Sequence, residues 1–121
     1  MAIDWEILKS RYVNADEATQ IESLLLNLLR LRVLVSSGVE ESTAQHLIKE
    51  SQLFIEWIVP SIDLDTRVDL ATDLVDLQRS LSKWKLNWPE LWHSELDKQA
   101  LLQDAEKWCN LLQNREEKIA S

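Results

Sequence analysis

An all-α fold, an antiparallel four-helix bundle with an additional short N-terminal helix, is what three features of this sequence predict. The 121 residues hold one glycine and two prolines, far too few of the residues that tight strand-to-strand turns require. Leucine is abundant, and apolar residues recur at spacings of three and four, the period of a helix face and not of a strand. No linker, low-complexity run or internal repeat divides the chain. Its length suits a single domain over residues 1–121 that buries one core without metal or disulfide staples.

The leading helix is expected over Ile3 to Tyr12, with Trp5, Leu8 and Tyr12 on one face. Asn14 stands three residues before Glu17, a capping-box spacing that opens a long helix. That helix runs to about Ser37, where Gly38 supplies the left-handed residue that ends a helix. Ser42 and Gln45 repeat the capping-box spacing for a second long helix, which Pro60 must stop near Val59. Asp63 or Asp65 would cap the third, which continues to about Leu86. Asn87-Trp88-Pro89 breaks the chain again, with proline placed for the first turn of a new helix. The last helix reaches about Lys118, with a bend or interruption near Ser94 to Asp97, and the final residues are expected to fray.

The faces show how these helices would pack. Ile21, Leu24, Leu25, Leu28, Leu29, Leu31, Val33, Leu34 and Val35 cover most of the first long helix, leaving Ser23, Asn27 and Arg30 as its polar strip. A helix so apolar is surrounded by others or enters a dimer interface. Leu70, Leu74, Leu77, Leu81 and Trp84 form a 4-3-4-3 seam on the third long helix. Leu101, Ala105, Trp108 and Leu112 offer a matching 4-3-4 row on the fourth, so the two are expected to be halves of one antiparallel packing.

The formal net charge is −8. Such a surface repels the phosphate backbone and anionic lipid, so neither nucleic acid nor membrane is an expected partner. Leu24 to Val35, the longest apolar stretch, is broken by Asn27, Arg30 and Arg32 and is too short to span a bilayer. Met1 to Lys9 carries Asp4 and Glu6 and does not read as a signal peptide. The cytoplasm is the expected location.

Signatures of catalysis are scarce. With Gly38 the single glycine, no phosphate-cradling loop, dinucleotide fingerprint or nucleophile elbow can be built. Cys109 is the only cysteine, which rules out an internal disulfide and a cysteine-based zinc cage. It falls on a Leu/Trp-flanked core row, where thiols are inert packing residues. Glu90 and His93 form one Glu-x-x-His, half of what a di-iron bundle uses. The other histidine, His46, has Thr43 where the partner glutamate would stand. No catalytic residue, metal site or cofactor is expected.

Asp63, Asp65, Asp69, Asp73 and Asp76 precede Arg79, Lys83 and Lys85 along the third helix, the order that complements its dipole. Asp69 with Asp73, and Asp76 with Arg79, read as neighbours on a solvated face.

Two apolar features exceed what a simple bundle needs. Trp84, Trp88 and Trp92 are spaced by four, and Pro89 should gather them into a corner between the third and fourth helices. On the second long helix, Ala44, Leu47, Ile48, Ser51, Phe54, Ile55 and Ile58 already make a complete buried row. Leu53 and Trp57 lie on roughly the other side, with His46 and Glu50 alongside. That patch, left in water, would be an association site. Either the leading helix covers it through Trp5, Leu8 and Tyr12, or a second chain does.

The segment Asp76-Leu77-Gln78-Arg79-Ser80-Leu81-Ser82-Lys83-Trp84, followed by Trp88 and Leu91-Trp92, resembles small Trp-rich helical proteins of cyanobacterial genomes. The resemblance spans about a fifth of the chain, rests on no chemically specific motif and implies no function. The expected role is a non-enzymatic protein-interaction module: an adaptor, regulator or assembly factor with a protein partner, a homodimer included. The alternative is a bundle that binds a small molecule in a Trp-lined pocket at the corner.

Overall fold

The computed structural model describes residues 4–120, the last of them by its backbone alone. The expected helical position at Ile3 and the last residue, Ser121, lie outside this range; where fraying was expected after about Lys118, the last helix continues to Ala120. Among the described residues there are six α-helices and no strand: α1 Trp5–Asn14, α2 Glu17–Ser37, α3 Glu41–Ile58, α4 Val68–Leu86, α5 Trp88–Leu91 and α6 Glu95–Ala120. A single 3-10 turn, Val59–Ser61, follows α3 around Pro60. No helix is long and apolar enough to cross a membrane, among the described residues.

Helix ends fall where expected more often than helix starts. Gly38 adopts φ 70°, and its N–H closes the last turn of α2 on the Leu34 carbonyl. Pro60 and Asn87 end α3 and α4 as read from the sequence. The expected capping boxes do not form. Asp16 caps α2 by accepting from the Thr19 N–H, while Asn14 ends α1 and donates to the Ser10 carbonyl. At α3 the chain turns through Glu40 with φ 57°, and no side chain caps the helix there. Asp63 organises the turn before α4 instead of capping it. Its side chain accepts from the Asp65 N–H, and its carbonyl accepts from Thr66 and Arg67. The interruption expected near Ser94 is real: α5 and α6 are separate, and the Ser94 hydroxyl accepts from the Asp97 N–H.

α2 packs on α3 and α6, and α3 packs on α4 and α1. The C-terminal half of α2 shares a groove with the first turns of α6, while Glu17 at its start neighbours Ile119. α3 meets α4 with Ser42 and Lys85 on one cleft and Gln52 donating to Ser82. α1 runs alongside α3, Trp5 at His46 and Tyr12 at Phe54. The expected core rows are buried throughout: Leu70, Leu74, Leu77, Leu81 and Trp84 on α4, and Leu101, Ala105, Trp108 and Leu112 on α6.

Two expectations about packing need correction. α6 approaches α2 more closely than α4, its expected partner. It reaches α4 through long side chains, Trp108 donating to the Ser80 hydroxyl and Arg115 bonding both Asp69 and Asp73. Those aspartates are therefore ligands of a cross-helix guanidinium as well as neighbours on one helix. Asn27, assigned to the polar strip of α2, is buried instead. Its amide donates to Ser51 at 3.3 Å and to Glu50 at 3.2 Å, a polar tie between α2 and α3.

Candidate functional site

α1 packs against the patch on α3 at Trp57 and His46. Tyr12 lies flat on Phe54, ring centroids 3.9 Å apart, and Trp57 tilts against both rings. Leu53 and Trp57 are left half-buried. The Tyr12 hydroxyl donates to the Gln20 carbonyl and the Gln20 amide donates to the Tyr12 carbonyl, each at 2.9 Å. That reciprocal pair fixes α1 to α2 across the short Ala15–Asp16 connection. Burial pushes the Tyr12 phenol above its ordinary range.

At the other end of α1, Trp5 stacks on His46 with centroids 5.5 Å apart. The Lys49 ammonium sits 5.0 Å over the Trp5 ring, a cation–π arrangement. His46 Nε2 lies 3.3 Å from Glu50, whose other oxygen accepts from Asn27. Of the expected patch, His46, Leu53 and Trp57 share one face of α3 at i, i+7 and i+11, and Trp5 belongs to α1 and stacks on His46.

The expected tryptophan corner divides. Trp88 and Trp92 stack with centroids 5.4 Å apart, and the Lys98 ammonium lies 5.0 Å over Trp92. Trp84 is buried as well but stacks on neither; it lines a separate cleft with Leu91 and Leu101. The break at Asn87 turns the chain, so a spacing of four no longer places the three rings on one face.

Sequence reasoning missed that the two patches meet. A cleft of about 270 Å³ lies between the first half of α3 and the α4–α5 corner, lined by Ser42, Gln45, His46, Lys49, Lys85 and Trp88. Ser42, Gln45, His46 and Lys49 follow the i, i+3, i+4, i+7 spacing of one helix face. That signal was legible, but Lys85 and Trp88 reach the cleft only through the tertiary fold.

The remaining candidate chemistry is dispersed. Glu90 and His93 are both exposed near the short α5. Among the described residues, no three His, Cys, Asp or Glu side chains gather as a metal site would require. Cys109 is buried, and desolvation raises its thiol above the ordinary range against a smaller lowering by Arg32. A protonated, enclosed thiol suits packing.

A second surface feature lies on α2. Leu26, Leu29 and Val33, one row at i, i+3 and i+7, are 48%, 38% and 65% exposed. Leu29 and Val33 border the groove that α2 forms with Leu102 and Gln103 of α6. Of the two expectations for α2, enclosure by the other helices of the chain is incomplete, since Leu29 and Val33 face solvent; burial in a dimer interface is not tested by a single chain. Comparison with family models, with curated proteins and with solved structures finds no match to this chain.

Proposed function

We propose that this chain is a non-enzymatic protein-interaction module whose docking surface is the exposed row of α2. The fold behind that reading is an antiparallel four-helix bundle of α2, α3, α4 and α6, with α1 packed along α3. A cytoplasmic location belongs to the same proposal. The observation that carries it is the run Leu26, Leu29 and Val33, left in water on a helix whose other faces are packed. Three large aliphatic side chains at helical spacing beside an open groove suit an amphipathic partner helix laid into that groove. Arg30 and Arg32 stand next to the row. Arg30 has no carboxylate within 4.0 Å among the described residues. In a chain of net charge −8, Arg30, left without a carboxylate, favours a partner helix that brings an acidic side chain to it, while Arg32 shares the groove with Glu106.

Replacing Val33 by a photoreactive benzoylphenylalanine in the cell that makes the protein tests this reading. Irradiation is expected to give an adduct of one defined mass, lost with Leu29→Glu and absent when the probe sits at exposed Gln113 on α6. An adduct of twice the chain mass would name a second copy as partner. No adduct at Val33, with the protein folded, overturns the proposal.

A further inference from the structure

We propose that the cleft between α3 and the α4–α5 corner binds a small organic acid, its carboxylate held by Lys49 and Lys85 and its apolar body against Trp88. This site is independent of the α2 surface. Its lining holds two lysines and no carboxylate, although acidic residues outnumber basic ones 21 to 13 in the chain. Neither Lys49 nor Lys85 has an ion-pair partner among the described residues; Lys49 rests over Trp5 instead. Glu50, the neighbour of Lys49 in sequence, is engaged by His46 and Asn27. Two unneutralised ammonium groups in one concave site attract an anion.

The start of α3 adds to that field. Ser42 is the second residue of α3, and the helix begins without a side-chain cap. The free N–H groups of its first turn and the positive end of its dipole both favour negative charge there. Glu40 and Glu41 precede the cleft in sequence but do not line it.

The third observation concerns the wall. Trp88 is 3% exposed, and its indole N–H is buried without an acceptor. A buried donor left unpaired is unfavourable. No hydrogen bond holds this ring in place, so its reorientation around an incoming ligand breaks none. An indole wall and the methylene stems of two lysines suit an apolar body. A volume of about 270 Å³ lies at the lower edge of ligand pockets, which limits the ligand to a small molecule.

The probe is 1-naphthoate, titrated into the ¹⁵N-labelled full-length protein while the six tryptophan indole resonances are followed. Trp88→Phe assigns the resonance of interest. Naphthoate is expected to shift the Trp88 signal saturably. Lys49→Glu with Lys85→Glu, two exposed positions, should weaken binding at least about tenfold. The neutral 1-naphthalenemethanol should bind at least about tenfold more weakly than the acid. If the double variant does not fold, Lys85→Gln alone replaces it and should still weaken naphthoate. No saturable shift, equal affinity in the lysine variants, or equal affinity for the alcohol would each overturn the proposal.

Discussion

Leu74 and Leu77 show how far a single residue's fate follows from spacing. Both lie on the uninterrupted row of α4, and both are fully enclosed. Truncating either to alanine removes buried methyl groups and leaves a cavity that the helices only partly refill. Leu74→Ala and Leu77→Ala are each expected to lower stability by about 2–5 kcal/mol. Urea denaturation measures this directly; two variants melting within about half a kcal/mol of wild type would place the row in solvent. Asn27 shows the limit of the same reasoning. Its position beside apolar residues is visible in the sequence, but its burial depends on finding Ser51 and Glu50 across the helix interface. A buried amide is tolerated where partners meet it, and pair formation between helices leaves no mark in the spacing of one helix.

At the scale of the element, α1 gives the clearest test. It covers Phe54 and Trp57 through Tyr12 and packs Trp5 on His46. Removing residues 1–14 would uncover a tryptophan and a phenylalanine on α3 together, a patch of the kind that associates. The truncated chain is expected to self-associate with rising concentration, and Trp57→Glu in that background should reverse it. Sedimentation checks both steps. A truncated chain that stays monomeric, with Trp57 quenched no faster than before, would show that α1 is not the cover. The need for a cover was legible because Leu53 and Trp57 point away from the Leu47, Phe54 and Ile58 row. Helix stops were legible too, since Gly38 and Pro60 act through their own backbone restrictions. Helix starts were not, apart from Pro89 in the first turn of α5. Asn14 and Ser42 have capping-box spacing, yet Asp16 and the left-handed Glu40 hold those positions. A cap depends on where the preceding loop must go, and the three-residue spacing recurs by chance in a chain rich in Glu and Gln. The cleft was half legible: one helix face supplies four of its residues, and the fold brings Lys85 and Trp88 to them.

For the whole molecule, the pH dependence of unfolding joins the single tyrosine to global stability. Tyr12 is buried between α1 and α3 and donates to the Gln20 carbonyl of α2. Desolvation holds its phenol protonated well above the ordinary value near 10. In the unfolded chain the phenol meets water and releases its proton near that ordinary value. Between the two, the unfolded state binds one proton fewer than the folded state, so stability falls as pH rises. The contribution is complete below the unfolded value and is lost progressively toward the folded one. Its slope reaches at most about 1.4 kcal/mol per pH unit for one proton. Lysines also discharge in this range, and the growing excess of negative charge adds repulsion, so wild type alone does not isolate the tyrosine. Tyr12→Phe does. That variant is expected to be less stable near neutrality, because the bond to Gln20 is gone, and to lose stability more gently above about pH 10. Denaturant melts across the alkaline range give both slopes, and tyrosinate absorbance should appear in step with unfolding. Parallel slopes, or tyrosinate forming while the helices remain intact, would show that the phenol reaches solvent in the folded protein.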